Sequence, residues 1–134
     1  MKVVLANGCF DVLHPGHIAH LLEARKQGDF LIVSLTLDAF VNKGPNRPVI
    51  VWEGRALMLR ELRCVDSVIP CTCAVEAIRQ VRPQVFVKGD DYRTTRFTED
   101  IKGACKAVGA TLFLTGTPKQ SSTDIIKKAK DWKS

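Results

Sequence analysis

Five short apolar runs, rich in β-branched residues, recur along this chain, and a longer run with helical spacing follows each. The apolar runs are 2–6 (KVVLA), 30–36 (FLIVSLT), 66–70 (DSVIP), 84–88 (QVFVK) and 111–115 (TLFLT). The helical runs are 17–28, 53–64, 74–81, 98–109 and 122–132. Strands that are apolar throughout must be covered on both faces. A helix between successive strands makes them parallel, with right-handed crossovers. The expected fold is therefore α/β, a doubly wound five-stranded parallel sheet. With 134 residues and no repeat, low-complexity tract or linker, residues 1–134 form a single expected domain, large enough to bury a core. In such sheets ligands bind beyond the C-terminal strand ends, at the switch point. The longest irregular stretch, 37–52, is long enough to be functional or mobile.

Several classes are excluded. No run approaches the roughly 18 apolar residues of a membrane span, and residues 1–8 (MKVVLANG) lack a secretory h-region. Five cysteines are an odd number for a disulfide framework. Cys71 and Cys73 have no second Cys or His pair at zinc spacing, so no metal site is expected. A reducing cytoplasm is the expected location. The net charge of +6 suits an anionic ligand. The Lys and Arg are spread along the chain rather than blocked, which argues against a nucleic-acid partner.

Residues 8–17, GCFDVLHPGH, stand where the first strand turns into the first helix. Proline disfavours helical backbone in the residue before it, so His14 is expected to be extended and the helix to begin at Pro15. His17 then lies in the first turn, three residues on and on the same face. Unpaired backbone N–H groups point from that helix end, and Gly8 and Gly16 leave room for close approach. Together they make a phosphate cradle of backbone donors and two imidazoles. The plainer alternative is a pair of surface histidines capping a helix. His20, a turn further on, reads as a solvated helix residue.

The HPGH motif resembles the HxGH signature of the cytidylyltransferase-like nucleotidyltransferases, small Rossmann-like domains that move a nucleotidyl group onto a phosphorylated acceptor. NGCFDVLHPGH, LEARKQGDFLIV and KGPNRPV resemble the adenylyltransferase domain of ADP-heptose synthases. VKGDDY (87–92) resembles a motif shared with glycerol-3-phosphate cytidylyltransferases, and SSTDII (121–126) resembles the helix start that closes the site. The resemblance implies strand order 3-2-1-4-5. It assigns catalysis to His14, His17 and Lys43, the last a point charge on the long loop, with Arg47 as second choice. It places Gly8, Cys9, Phe10, Asp11 and Gly16 of the first motif at the nucleotide. Lys88, Asp91 and Tyr92 join them from the fourth strand, and Thr117, Ser121, Ser122 and Thr123 from the last. Asp11 would orient a histidine or magnesium, and Asp38 and Arg55 would meet the acceptor, although Arg55 could equally brace its own helix.

The expected reaction transfers AMP, in preference to CMP, from ATP or CTP to a sugar or polyol phosphate, releasing pyrophosphate. Magnesium (Mg2+) is implied by that chemistry. The arginine that cytidylyltransferases carry before their Ser-Thr-Thr is missing from 115–123, which tilts the reading toward ATP. A glycerol-3-phosphate cytidylyltransferase-type enzyme is the alternative, and an inactive nucleotide-binding sensor or adaptor is the rival from another class. The segment 63–70 (RCVDSVIP) resembles a dimer contact, with Val65 expected to be exposed, so a homodimer is expected.

Overall fold

Val4, Leu5 and Ala6 are fully buried one after another, so the first strand is covered on both faces. In this computed structural model, residues 1–89, 98–116 and 122–131 are described, 122–124 by backbone alone. The strands are β1 (Val3–Gly8), β2 (Phe30–Thr36), β3 (Ser67–Cys71), β4 (Val85–Gly89) and β5 (Thr111–Thr115). The helices are α1 (Pro15–Arg25), α2 (Trp52–Arg60), α3 (Ala74–Val81), α4 (Thr98–Val108) and α5 (Ser122–Lys130). All strand pairs are parallel, in the order β3-β2-β1-β4-β5. The switch point falls between β1 and β4. The protein is a Rossmann-like α/β domain with the expected sheet.

Strand alternation divides the core in two. Val4, Ala6, Leu31, Val33, Val85 and Val87 face α1 and α2, packing with Leu21, Ala24, Ala56 and Leu59. Leu5, Phe86 and Cys71 face α3 and α4, packing with Ala77, Ile78, Ile101 and Ala104.

Boundaries shift where side chains have other uses. β1 runs on to Gly8, because Asn7 and Gly8 still pair with Ser34 and Leu35. α1 stops at Arg25, not at 28. Gly28 instead lets the chain pass Lys2, where an added Cβ would lie 2.6 Å from the carbonyl oxygen. α2 ends at Arg60, and tight turns then carry Cys64 and Val65 into the core. Val65 is therefore not the exposed apolar residue expected of a dimer contact. Pro70 lies inside the edge strand β3 rather than ending it. The Cys71 carbonyl points at β2, accepting from Leu37 N–H at 2.9 Å, so Pro70 turns its missing N–H to the open edge.

The stretch 37–52 is less irregular than expected. It opens with a single 3₁₀ turn (Asp38–Phe40), and α2 begins at Trp52.

Candidate active site

The β1–α1 turn is strained. Phe10 and Val12 both have left-handed backbone, with φ of 45° and 60°. Such conformations cost a non-glycine residue about 1–3 kcal/mol and cluster at functional sites. The turn buries the Phe10 ring against the sheet. Gly8 is needed for that ring, since a Cβ there would lie 2.8 Å from it. The space above Gly8 therefore belongs to Phe10 and not to a ligand. The edge of Phe10 supports His17, with ring centroids 5.2 Å apart.

His14 is the N-cap of α1 and extended (φ −143°, ψ 170°), as the following proline requires. Its Nδ1 accepts from Gly16 N–H at 3.0 Å, and its own N–H donates to His17 Nδ1 at 3.2 Å. This is a capping box made with imidazoles in place of the usual hydroxyl and carboxylate. The His14 carbonyl takes the His17 N–H at 2.9 Å. The cradle of unpaired backbone donors expected at this helix end is thus consumed by the histidines themselves. In exchange, both Nδ1 atoms are acceptors, which leaves the proton of each neutral ring on Nε2. The rings stack with centroids 3.8 Å apart, forming a pair of Nε2–H donors. Burial lowers both pKa values, and for His17 the charges of His14, His20 and Lys43 push further, down to about 3. Both are neutral donors at physiological pH.

Lys43 is exposed, and its charge is felt at His17. Its loop is held at both ends. Asp11, 1% exposed, accepts from Val49 N–H at 2.7 Å, Ile50 N–H at 2.9 Å and Arg47 Nε at 2.8 Å. Burial pushes the Asp11 carboxyl up, but these N–H bonds and the Arg47 charge outweigh it and hold it below the ordinary range. Asp11 is thus an anchor of the loop. Arg47, the second-choice phosphate ligand, is its partner.

Arg55 is fully buried. It donates from Nη1 to the Cys9 carbonyl at 2.7 Å, from Nε to the Ile50 carbonyl at 2.9 Å, and from Nη2 to Asp38. Asp38 and Arg55 thus tie the β1 exit, the 3₁₀ turn and the loop together, the bracing that is the alternative reading of Arg55.

At the switch point Lys88 Nζ donates to Asn7 at its carbonyl (3.3 Å) and at Oδ1 (3.4 Å). Asn7 Nδ2 is held by Ser34 Oγ at 3.0 Å and Cys71 Sγ at 3.2 Å. A cleft of about 990 Å³ opens at these strand ends, with Asn7, Cys9, Thr36, Asn42, Lys88 and Arg79 in its lining. His14 and His17 do not line it; they stand on the α1 side of the sheet. Asp91, Tyr92, Thr117 and Ser121 lie outside the described residues, as do the side chains of Ser122 and Thr123. Among the described residues no group of three His, Cys, Asp or Glu could hold a metal ion, and no helix is long and apolar enough to cross a membrane.

Sequence reasoning missed three contributions. Nothing local marks Asn7 or Thr115. His20 had a signal: it shares the inward stripe of His17, Leu21 and Ala24. It is half-buried, with Nδ1 2.7 Å from Thr115 Oγ1, and is not the solvated residue expected.

Fold and site together define a Rossmann-like α/β protein whose first strand exits into a pair of imidazole donors. The chain belongs to the cytidylyltransferase-like family, whose model matches residues 5–128. A Pseudomonas entomophila protein named bifunctional protein HldE is 43% identical over 130 residues, 92% of this chain and 27% of its own. The protein of the same name from Sulfurimonas denitrificans is 44% identical over 75% of this chain and 23% of its own. This chain spans about a quarter of the length of these curated relatives. Among solved structures, a lipopolysaccharide core biosynthesis protein from Thermoplasma volcanium superposes with TM-score 0.72 at 28% identity, covering 90% of this chain and 99% of that one. A pantoate-beta-alanine ligase from Francisella tularensis, at 17% identity and TM-score 0.66, covers 96% of this chain and 69% of its own and shares the fold.

Proposed function

We propose that the protein transfers the adenylyl group of ATP to the phosphate of a sugar or polyol phosphate. An acceptor phosphate oxygen attacks the α-phosphorus, the bond to the bridging oxygen breaks, and pyrophosphate leaves. Charge builds on the non-bridging and leaving oxygens, so fixed donors are the main catalytic tool. The observation that carries this reading is the pair of Nε2–H donors fixed by the imidazole capping box. Neutral donors stabilise that charge without giving up a proton. Lys43 adds a mobile point charge from the loop.

A sugar acceptor is supported by the name of the Thermoplasma relative, since a lipopolysaccharide core is built of sugars. The missing arginine in 115–123 supports ATP over CTP. The Mg2+ of this reading enters with the triphosphate, whose oxygens supply most of its ligands. Five free thiols support a reducing, cytoplasmic setting. A homodimer also belongs to this reading.

The test is pyrophosphate release with ATP and CTP across a panel of sugar and polyol phosphates. Turnover with ATP and a sugar phosphate is expected. A CTP preference of about tenfold or more would instead place the protein with the glycerol-3-phosphate cytidylyltransferase type. Nucleotide binding without turnover across the panel would favour the sensor or adaptor.

A further inference from the structure

Thr115 ends β5 and is 1% exposed, yet its hydroxyl joins three elements. His20 on α1 places Nδ1 2.7 Å from Thr115 Oγ1. The same hydroxyl donates to the Lys88 carbonyl of β4 at 3.4 Å. One residue on, Gly116 N–H donates to Glu23 Oε2 of α1 at 3.3 Å. Each joined element borders a motif: HPGH opens α1, GDDY follows Lys88, and SST follows β5 within six residues of Thr115. A threonine hydroxyl has a single proton. With that proton on the Lys88 carbonyl, Thr115 Oγ1 accepts from His20. His20 then carries its proton on Nδ1, the opposite tautomer to His14 and His17. The Phe10 ring that supports His17 also lies beside His20, with centroids 6.5 Å apart.

We propose that His20 and Thr115 are positioning residues of the nucleotidyl-transfer site. Their bond fixes the start of α1 against the exits of β4 and β5, and so holds the His17 donor in register with both. Neither side chain touches the substrate. The catalytic part of this proposal rests on the transferase reading above.

Thr115→Val, His20→Ala and His20→Asn test it. Imidazole ¹⁵N spectra of the wild type should show His20 protonated on Nδ1, and Thr115→Val should move that proton to Nε2 and displace the His17 signals. In pyrophosphate release, Thr115→Val and His20→Ala should each lower kcat roughly tenfold while KM for ATP changes by less than about threefold, the behaviour of a misaligned donor. The double variant should be no worse than the worse single one. His20→Asn, whose Nδ2–H can replace Nδ1–H, should restore most of the rate. Wild-type His20 protonated on Nε2, unchanged kcat in folded Thr115→Val, or additive losses would overturn the proposal. If Thr115→Val does not fold, His20→Ala supplies the same comparison of His17 signals and rate. If the wild type turns over no nucleotide, the transferase reading fails by itself. The His17 spectra still decide the positioning, and unchanged signals would overturn it.

Discussion

At the scale of single residues, the site rests on which nitrogen of each histidine is spent on the backbone. His14 and His17 use Nδ1 to cap α1, which puts the proton of each neutral ring on Nε2, so capping the helix is compatible with the proposed phosphate contact. His14→Ala and His17→Ala should each lower kcat by roughly 10²–10³, the scale of losing one fixed donor. His14→Ala should also cost about 1 kcal/mol of stability through the lost cap, measurable by urea denaturation. The lowered pKa values set a pH dependence. In the unfolded chain each imidazole gains a proton near 6.5, while in the fold His17 stays neutral down to about 3. Stability is therefore complete above about pH 6.5 and declines as pH falls from there toward 3, because the unfolded state binds more protons. Melting temperatures across that range should fall in the wild type and fall less in His17→Ala. A flat profile would contradict the neutral pair.

At the scale of elements, the 37–52 stretch divides into a clamped frame and a short apex. Arg55 holds the 3₁₀ turn through Asp38, and Asp11 holds 47–50, so the stretch left between the two clamps, 41–46, is the one that carries Lys43. Asp11→Ala leaves Arg47 charged with its side chain 6% exposed, and loss of one partner of a buried pair costs about 3–5 kcal/mol. The variant should also be cut faster in this loop during limited proteolysis. Lys43→Ala, altering an exposed side chain, should leave the melting temperature unchanged and lower kcat/KM roughly 10²-fold. Nucleotide protection from proteolysis should be confined to 41–46. Protection extending across 47–50 would show that the Asp11 clamp opens.

At the scale of the whole molecule, assembly and acid sensitivity follow from the sheet. β3 is an open edge, and Pro70 withholds an N–H from it. A homodimer at this edge is therefore expected to use side chains such as Arg63 rather than a sheet continued across two copies. Sedimentation at micromolar concentration should show a dimer, and Arg63→Glu should shift it to monomer. Below about pH 4 a second loss of stability joins that of the histidines. Asp11, with its carboxyl held below the usual 3.8 in the fold, contributes stability above that value and loses it as pH falls further.

Periodicity settled the five parallel strands and the interleaved helices, and proline sterics the start of α1 at Pro15, because these depend on local geometry and on which faces must be buried. The strand order came from family resemblance, and the sheet has it. What the sequence could not settle is where a polar side chain spends its hydrogen bonds. Asp11 and Arg47 are 36 residues apart, and His20 and Thr115 are 95 apart. Arg55 reads as meeting the acceptor or bracing its own helix, yet it is fully buried and reaches the Cys9 carbonyl 46 residues away. Buried polar groups must find partners, and those partners are chosen only when the sheet brings distant strand ends together. The chain therefore reveals the histidine pair at the start of α1 locally, while the tautomers of that pair and the clamp on the lysine loop belong to the tertiary fold.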